Sequence, residues 1–279
     1  MFIVMELLGK SLSELRKKNE GKRFDSITAL RVGYMMTDSL KILHDMGYLH
    51  RQVEIQNYEV FEKHHITMLA EYRECVPFIQ IDIKPGNMCV GATPDSIRRV
   101  YLLDFGLARK FKARSNGHAY KAALSENGKV KRRGRVGFRG TLRYVSLNVH
   151  ERRDQCTCDD LISNFYTMVE LAEGSLPWTR LRDADDIARR KRNISFEELC
   201  PSVKFSGMST ELQEYYTYCY DNMEDPNQPN YDYLKDIIKK CLPTSFDFDS
   251  PVPWENLGGF SVENQVLTEA TCVDPDPQQ

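Results

Sequence analysis

The sequence predicts an α+β fold, mainly helical, with one short β ribbon, and three observations predict it. Apolar residues recur at helical spacing between Asp25 and Asp45; two short strand-like runs, residues 88–90 and 99–103, flank the turn Gly91-Ala-Thr-Pro94; and from Asp159 onward helical patterns dominate. In chain order, residues 2–8 read as a short buried strand ending at Leu7-Leu8-Gly9, and residues 11–18 as a short helix. Asp25-Ser26 is a good N-cap for the next helix, Leu30, Met36, Leu40 and Leu43 form its apolar face, and Gly47 stands beyond its end. Asp159-Asp160 caps an apolar helix through Leu171, and Pro177-Trp178 ends that unit and buries an aromatic ring. Further helices are expected around residues 183–191, 209–220 and 231–241, where Tyr215, Tyr216, Tyr218 and Tyr220 cover more than one helix face and read as packing. Residues 256–279 form a flexible tail, disordered from Glu263 on.

A chain of 279 residues can bury a sizeable core. Net charge is −2 with 28% charged residues, and no aromatic platforms interleave with the Lys/Arg-rich stretch, so nucleic acid is not an expected partner. No apolar run reaches the length of about 18 residues that spans a membrane. The opening Met-Phe-Ile-Val-Met lacks preceding basic residues and ends too early, at Glu6, for a signal peptide. Eight scattered cysteines suggest reduced thiols and a cytoplasmic location, with the nucleus as a further compartment that the same reading allows. Cys156-Thr-Cys158 lacks a second ligand pair at zinc spacing. His64 and His65 are adjacent and point different ways on a helix, which reads as a solvated face.

The chemistry concentrates in Ile81-Asp-Ile-Lys-Pro-Gly-Asn87 and Leu103-Asp-Phe-Gly106, whose acidic residues stand 22 positions apart. Asp82 can accept a hydroxyl proton, Lys84 can neutralise charge on a transferring phosphoryl group, and Asn87 and Asp104 are hard oxygen ligands for Mg²⁺. Either motif alone is weak. Both together, in this order and separated by a strand-like run, are specific.

With Val4-Met-Glu-Leu-Leu-Gly9, Phe138-Arg-Gly-Thr-Leu-Arg-Tyr144, Asp159-Asp-Leu161 and Gly174-Ser-Leu-Pro-Trp178, these motifs resemble the protein kinases. Within them the chain is most similar to the casein kinase 1 group, closest to the tau-tubulin kinase-like branch, from about residue 2 to about 255. Ser146-Leu-Asn148 stands where most kinases carry Ala-Pro-Glu, a departure typical of that group. The resemblance implies a kinase large (C-terminal) lobe over residues 10–255, with residues 1–9 a hinge strand left from a small lobe that is otherwise missing. It implies ATP- and Mg²⁺-dependent phosphorylation of Ser or Thr in protein substrates that are acidic or already phosphorylated. By the same resemblance Glu6 and the backbone around Leu8 meet adenine, Met5 guards the pocket behind it, and Glu14 reaches a ribose hydroxyl. Read from the sequence alone, Met5 is better taken as an ordinary core residue. Thr141 would face the substrate and hold Asp82 and Lys84; Asp160 would tie the catalytic loop backbone; Arg143, Arg190 and Lys191 would receive acidic or phosphorylated substrate residues.

Two departures stand out. Tyr48-Leu-His-Arg51 looks like the start of the catalytic loop H-R-D-x-x-x-x-N, yet 30 residues, 52–81, separate Arg51 from Asp82. Either this insert loops out and leaves Arg51 and Asp82 neighbours in space, at a closure cost of roughly 2–3 kcal/mol, or it is intron sequence carried into the chain. Residues 107–140, the expected activation segment, are rich in Lys and Arg, and read either as a solvated charge run or as a peptide-docking surface. With the small lobe's phosphate loop missing, a catalytically impaired pseudokinase or kinase fragment acting as a binding module remains the alternative function.

Overall fold

In the computed structural model, which describes residues 7–45, 78–79, 82–104, 109–110, 135–201, 209–223 and 229–256, the chain enters as strand β1, Leu8–Ser11, and turns at once into helix α1, Leu12–Lys18. Ser11 makes that turn possible: its Oγ accepts Glu14 N at 3.3 Å, while Glu14 Oε2 accepts Ser11 N at 3.0 Å. Such a capping box satisfies two orphaned backbone donors reciprocally. Residues 1–6, most of the strand expected over residues 2–8, lie outside the described chain; β1 overlaps that range at Leu8 alone.

β1 pairs antiparallel with β3, Met88–Gly91, which pairs antiparallel with β4, Val100–Leu102, giving the order β1-β3-β4. The expected ribbon is therefore a three-stranded sheet. Its strands approach so closely that a Cβ on Gly9 would meet Gly91 O at 2.9 Å, which is why glycine stands there. A separate antiparallel pair joins β2, Phe78–Ile79, to β5, Arg109–Lys110. The strand leading toward Asp82 thus comes from residues inside the range read as an insert, and residues 46–77 lie outside the described chain.

α2 spans Ser26–Asp45, as its sequence predicts, and starts where Asp25 Oδ1 accepts Thr28 N at 2.8 Å. After α3, Leu147–His150, comes α4, Thr157–Glu173, in which every residue from Thr157 to Ala172 is buried. Gly174 ends α4 at φ +86°, its N–H reaching Glu170 O at 2.8 Å. α2 lies along α4, and Gly33 is their contact: a Cβ there would fall 1.8 Å from Met168 Sδ. α5, Ala184–Asn193, α6, Phe196–Leu199, α7, Ser209–Asp221, and α8, Tyr231–Lys240, close the core around Tyr166, Trp178 and Tyr215. The tyrosines of α7 pack as expected, Tyr216 OH standing 2.9 Å from Tyr166 OH. The result is mainly helical with a small sheet, compatible with the kinase-like architecture. Among the described residues no helix is long and apolar enough to cross a membrane.

Candidate active site

Pro85 opens a single turn, Pro85–Asn87, in which Asn87 N donates to Lys84 O at 3.0 Å. The turn swings Asn87 back over Asp82, so that Asn87 Nδ2 donates to Asp82 O at 3.0 Å and lies 3.4 Å from Asp82 Oδ2. From the opposite side Thr141 Oγ1 donates to Asp82 Oδ1 at 2.7 Å. The Lys84 ammonium bonds Asp82 Oδ2 and stands 3.3 Å from Thr141 Oγ1. The structure therefore brings Asp82, Lys84, Asn87 and Thr141 together. Asp82 is 7% exposed, a carboxylate at the edge of solvent whose Oδ1 keeps a lone pair beyond the Thr141 bond, while Oδ2 meets both Lys84 and Asn87.

Asn87 O accepts Leu103 N at 2.8 Å, which sets the start of β3 beside the end of β4, and Asp104 follows at once. Asp104 is exposed and has φ +62°, a left-handed conformation that Asp tolerates better than most residues. With its amide nitrogen committed to Asp82, Asn87 turns its carbonyl oxygen away from the Asp82 main chain. An amide oxygen and a carboxylate at adjacent strand ends are the hard donors that Mg²⁺ takes, so this donor set fits that ion. Phe105 and Gly106 lie outside the described chain.

On the other edge of the sheet, Leu8 pairs with Gly91, and α1 packs against the Pro85–Asn87 turn. The expected adenine-side residues Met5 and Glu6 lie outside the described chain. Glu14 Oε2 is engaged with Ser11, whose side-chain and then backbone donors hold the Glu14 carboxyl below its usual range. Glu14 thus has a helix-capping role that the resemblance did not suggest. Sequence reading also passed over Cys89. Its neighbours Met88 and Val90 are fully buried, and strand alternation turns Cys89 to the opposite face, half-buried beside Ser11. Burial, then the Glu14 charge, raises its thiol pKa.

Behind Thr141 the chain is anchored by buried charges. Ser146 Oγ and Asn148 Nδ2 both donate to Asp159, the latter at 3.0 Å to Oδ2, so Ser146-Leu-Asn148 ties the segment to α4. Burial raises the Asp159 carboxyl pKa, while Ser146, the Cys156 backbone and side chain, and Asn148 oppose the rise. Arg143 is half-exposed and donates to Glu170 Oε1 at 3.2 Å, and Arg190 is 39% exposed with Glu198 at 3.5 Å. Lys191 requires a correction. It is 3% exposed, and its ammonium donates to Leu142 O at 2.9 Å and Val145 O at 2.6 Å, beneath the Tyr166 and Trp178 rings. Helix phase turns it inward, so it holds the Thr141 segment from below and does not face a substrate. Asp160 Oδ2 lies 2.9 Å from His44 Nε2, and His44 Nδ1 lies 2.6 Å from Tyr231 OH, a chain joining α4, α2 and α8. Cys156 forms the N-cap of α4, and Cys158 is buried within its first turn.

No protein-family model matches the chain. The chain is similar to a protein of Dictyostelium discoideum named as a serine/threonine-protein kinase, 34% identical over 258 residues, which are 91% of this chain and 42% of that protein. It is similar to a protein of Caenorhabditis elegans named as a casein kinase I, 31% identical over 91% of this chain and 62% of that one. The serine/threonine-protein kinase spe-6 of the same nematode is 28% identical over 91% of this chain and 57% of its own length. The chain thus spans about half the length of the curated relatives it matches. These similarities support the protein kinase superfamily.

Proposed function

We propose, from relatives named as serine/threonine and casein kinase I-like protein kinases over 91% of this chain, that it is a protein serine/threonine kinase of the casein kinase 1 group; within the group, the motif resemblance alone suggests the tau-tubulin kinase-like branch. The observation that carries the reading is the Asp82 constellation, with Thr141 Oγ1 at 2.7 Å and Asn87 Nδ2 at 3.0 Å. In this reading Asp82 takes the proton of a substrate hydroxyl as that oxygen attacks the γ-phosphorus of ATP, whose bond to the β–γ bridging oxygen breaks so that ADP leaves. Thr141 fixes the orientation of the carboxylate, and Lys84 offsets charge gathering on the transferred group. Asn87 and Asp104 would hold Mg²⁺, which when bound supplies charge stabilisation to the ATP phosphates. Leu8 and the residues before it would carry the adenine side.

Proteins with acidic or phosphorylated segments are the proposed substrates. Exposed cations in the stretch leading to Thr141 support this: among the described residues Arg135 and Arg139 are exposed and Arg143 keeps a solvent-facing edge. The proposed location is the cytoplasm. The test is transfer of radiolabelled phosphate from Mg·ATP to an acidic, prephosphorylated peptide, comparing the protein with Asp82→Asn. Transfer that disappears in Asp82→Asn at unchanged thermal stability supports the reading. Equal transfer in both proteins sinks it. Peptide binding with no transfer in either favours the binding-module alternative.

A further inference from the structure

Glu170 is 1% exposed, and a carboxylate that deep is stable only when donors meet its oxygens. Arg16 Nη2 of α1 stands 3.6 Å from Oε1, Arg143 Nη1 stands 3.2 Å from the same oxygen, and the Tyr144 hydroxyl donates to Oε2. Arg16 is itself buried and fastened to the carbonyls of Lys22, at 2.9 Å, and Gly174. Arg143 differs, since its side chain is 37% exposed. Two guanidiniums therefore share one carboxylate. The cluster carries one net positive charge, and that charge surfaces at Arg143.

The same residues sit under the reacting groups. Tyr144 N donates to Thr141 O at 2.9 Å, closing the turn Thr141-Leu-Arg-Tyr144, and Thr141 Oγ1 in turn reaches Asp82 Oδ1 at 2.7 Å. The Trp178 indole donates to Arg143 O at 2.8 Å and pins the main chain between them. We infer that Glu170 is both a positioning and a specificity-determining residue of this site. It fixes the turn beneath Thr141, and it offsets part of the charge that Arg143 presents to an acidic or phosphorylated substrate residue. The inference rests on the kinase reading above for its catalytic half only. Peptide binding tests its charge half without any turnover.

Glu170→Gln keeps the shape and removes the charge, and its two consequences have opposite signs. Arg143 is released, so an acidic peptide binds more tightly; the turn is loosened, so turnover falls. A residue that merely props the fold would lower the folded fraction and leave the KM of the remainder unchanged. The experiment measures kcat and KM for an acidic phosphopeptide, its Kd by fluorescence anisotropy without nucleotide, and Tm, in the protein, Glu170→Gln, Arg143→Met and Tyr144→Phe. Expected for Glu170→Gln are a Kd and KM lower by about two- to fivefold and a kcat lower by about tenfold. Arg143→Met should raise Kd by a similar factor, and Tyr144→Phe should lower kcat with Kd unchanged.

Equal or weaker peptide binding by Glu170→Gln overturns the inference. So does an active Glu170→Gln with unaltered kcat. If Glu170→Gln does not fold, Tyr144→Phe and Arg143→Met decide: a Tyr144→Phe kcat equal to the parent's, or an Arg143→Met Kd equal to it, overturns the corresponding half. No turnover in any variant, with Kd moving as described, leaves the charge role intact and sinks the kinase reading instead.

Discussion

Two clusters of charged side chains grip the segment from Thr141 to His150, one from the front and one from behind, and they differ in what their charges are free to do. In front, Asp82 and Lys84 meet Thr141 through side-chain bonds at the edge of solvent, with the Lys84 side chain 28% exposed. Behind, Asp159, Glu170 and Lys191 are 2%, 1% and 3% exposed, and each bonds main-chain or side-chain groups of the segment from Arg143 to His150 or its immediate neighbours. A carboxylate with spare lone pairs and nearby water can take a proton or meet a substrate. One sealed among fixed donors can only hold shape, because changing its charge strands its partners. Residue type does not separate the two clusters, and neither does the number of partners, since Asp82 and Glu170 each meet three side chains; the depth does.

The largest expected effect breaks the front. Asp82→Asn should lower phosphoryl transfer by about 10²–10⁴-fold, with little change in Tm, as read by radiolabel transfer and differential scanning calorimetry. A large drop in Tm with transfer retained would put Asp82 in the structural class and erase the contrast. Next comes the rear. Lys191→Met keeps the stem that packs under Trp178 and leaves Leu142 O and Val145 O without their donor. Removing a buried charge recovers some desolvation cost, so the net loss should be about 1–3 kcal/mol in urea unfolding. An unchanged midpoint would mean that the ammonium contributes nothing to the anchor.

The front was legible in the sequence and the rear was not, for physical reasons. Asp82, Lys84 and Asn87 stand at offsets imposed by one tight turn, so spacing alone announces them, and Pro85 marks the turn itself. The N-cap of α2 was legible for the same reason, Asp25 and Thr28 being three residues apart. Lys191 stands in Arg189-Arg-Lys-Arg192, a run that looks uniformly solvated. Only the phase of α5 against Tyr166 and Trp178, elements from a distant helix and its exit turn, turns one of the four inward. Glu170 offered a better clue, an acid between the apolar pairs Met168-Val169 and Leu171-Ala172, but its partners Arg16 and Arg143 lie 154 and 27 residues away. β2 was hidden because a two-residue strand has no periodicity, while Tyr48-Leu49 carried the expected motif.

Acidification tests the rear more gently. His150 lies beside Lys191, Nε2 to Nζ at 3.3 Å, and burial, then the Lys191 charge, pushes its pKa down to about 4 from an ordinary 6.5. The folded protein therefore holds this imidazole neutral where the unfolded chain would protonate it. Its contribution to stability is complete above the unfolded value and is lost as pH falls toward about 4, so stability should decline on acidification through that window. His150→Asn should flatten this part of the profile of urea midpoint against pH. A profile unaltered by the substitution would mean that the decline arises elsewhere.

The smallest effect sharpens the comparison most, because it uses the neighbour of Lys191. Arg190 is 39% exposed and faces Glu198 at 3.5 Å, an exposed pair of the kind worth less than about 1 kcal/mol. Arg190→Ala should leave the urea midpoint nearly unchanged and weaken binding of an acidic peptide by at most about threefold, a loss that fades at high salt. Lys191→Met should show the reverse pattern, a loss of stability that salt does not rescue. Adjacent positions of one helix then separate into surface charge and interior anchor on two independent axes. Matching responses in the two variants would mean that depth does not set the role, and that the run acts as one cationic surface after all.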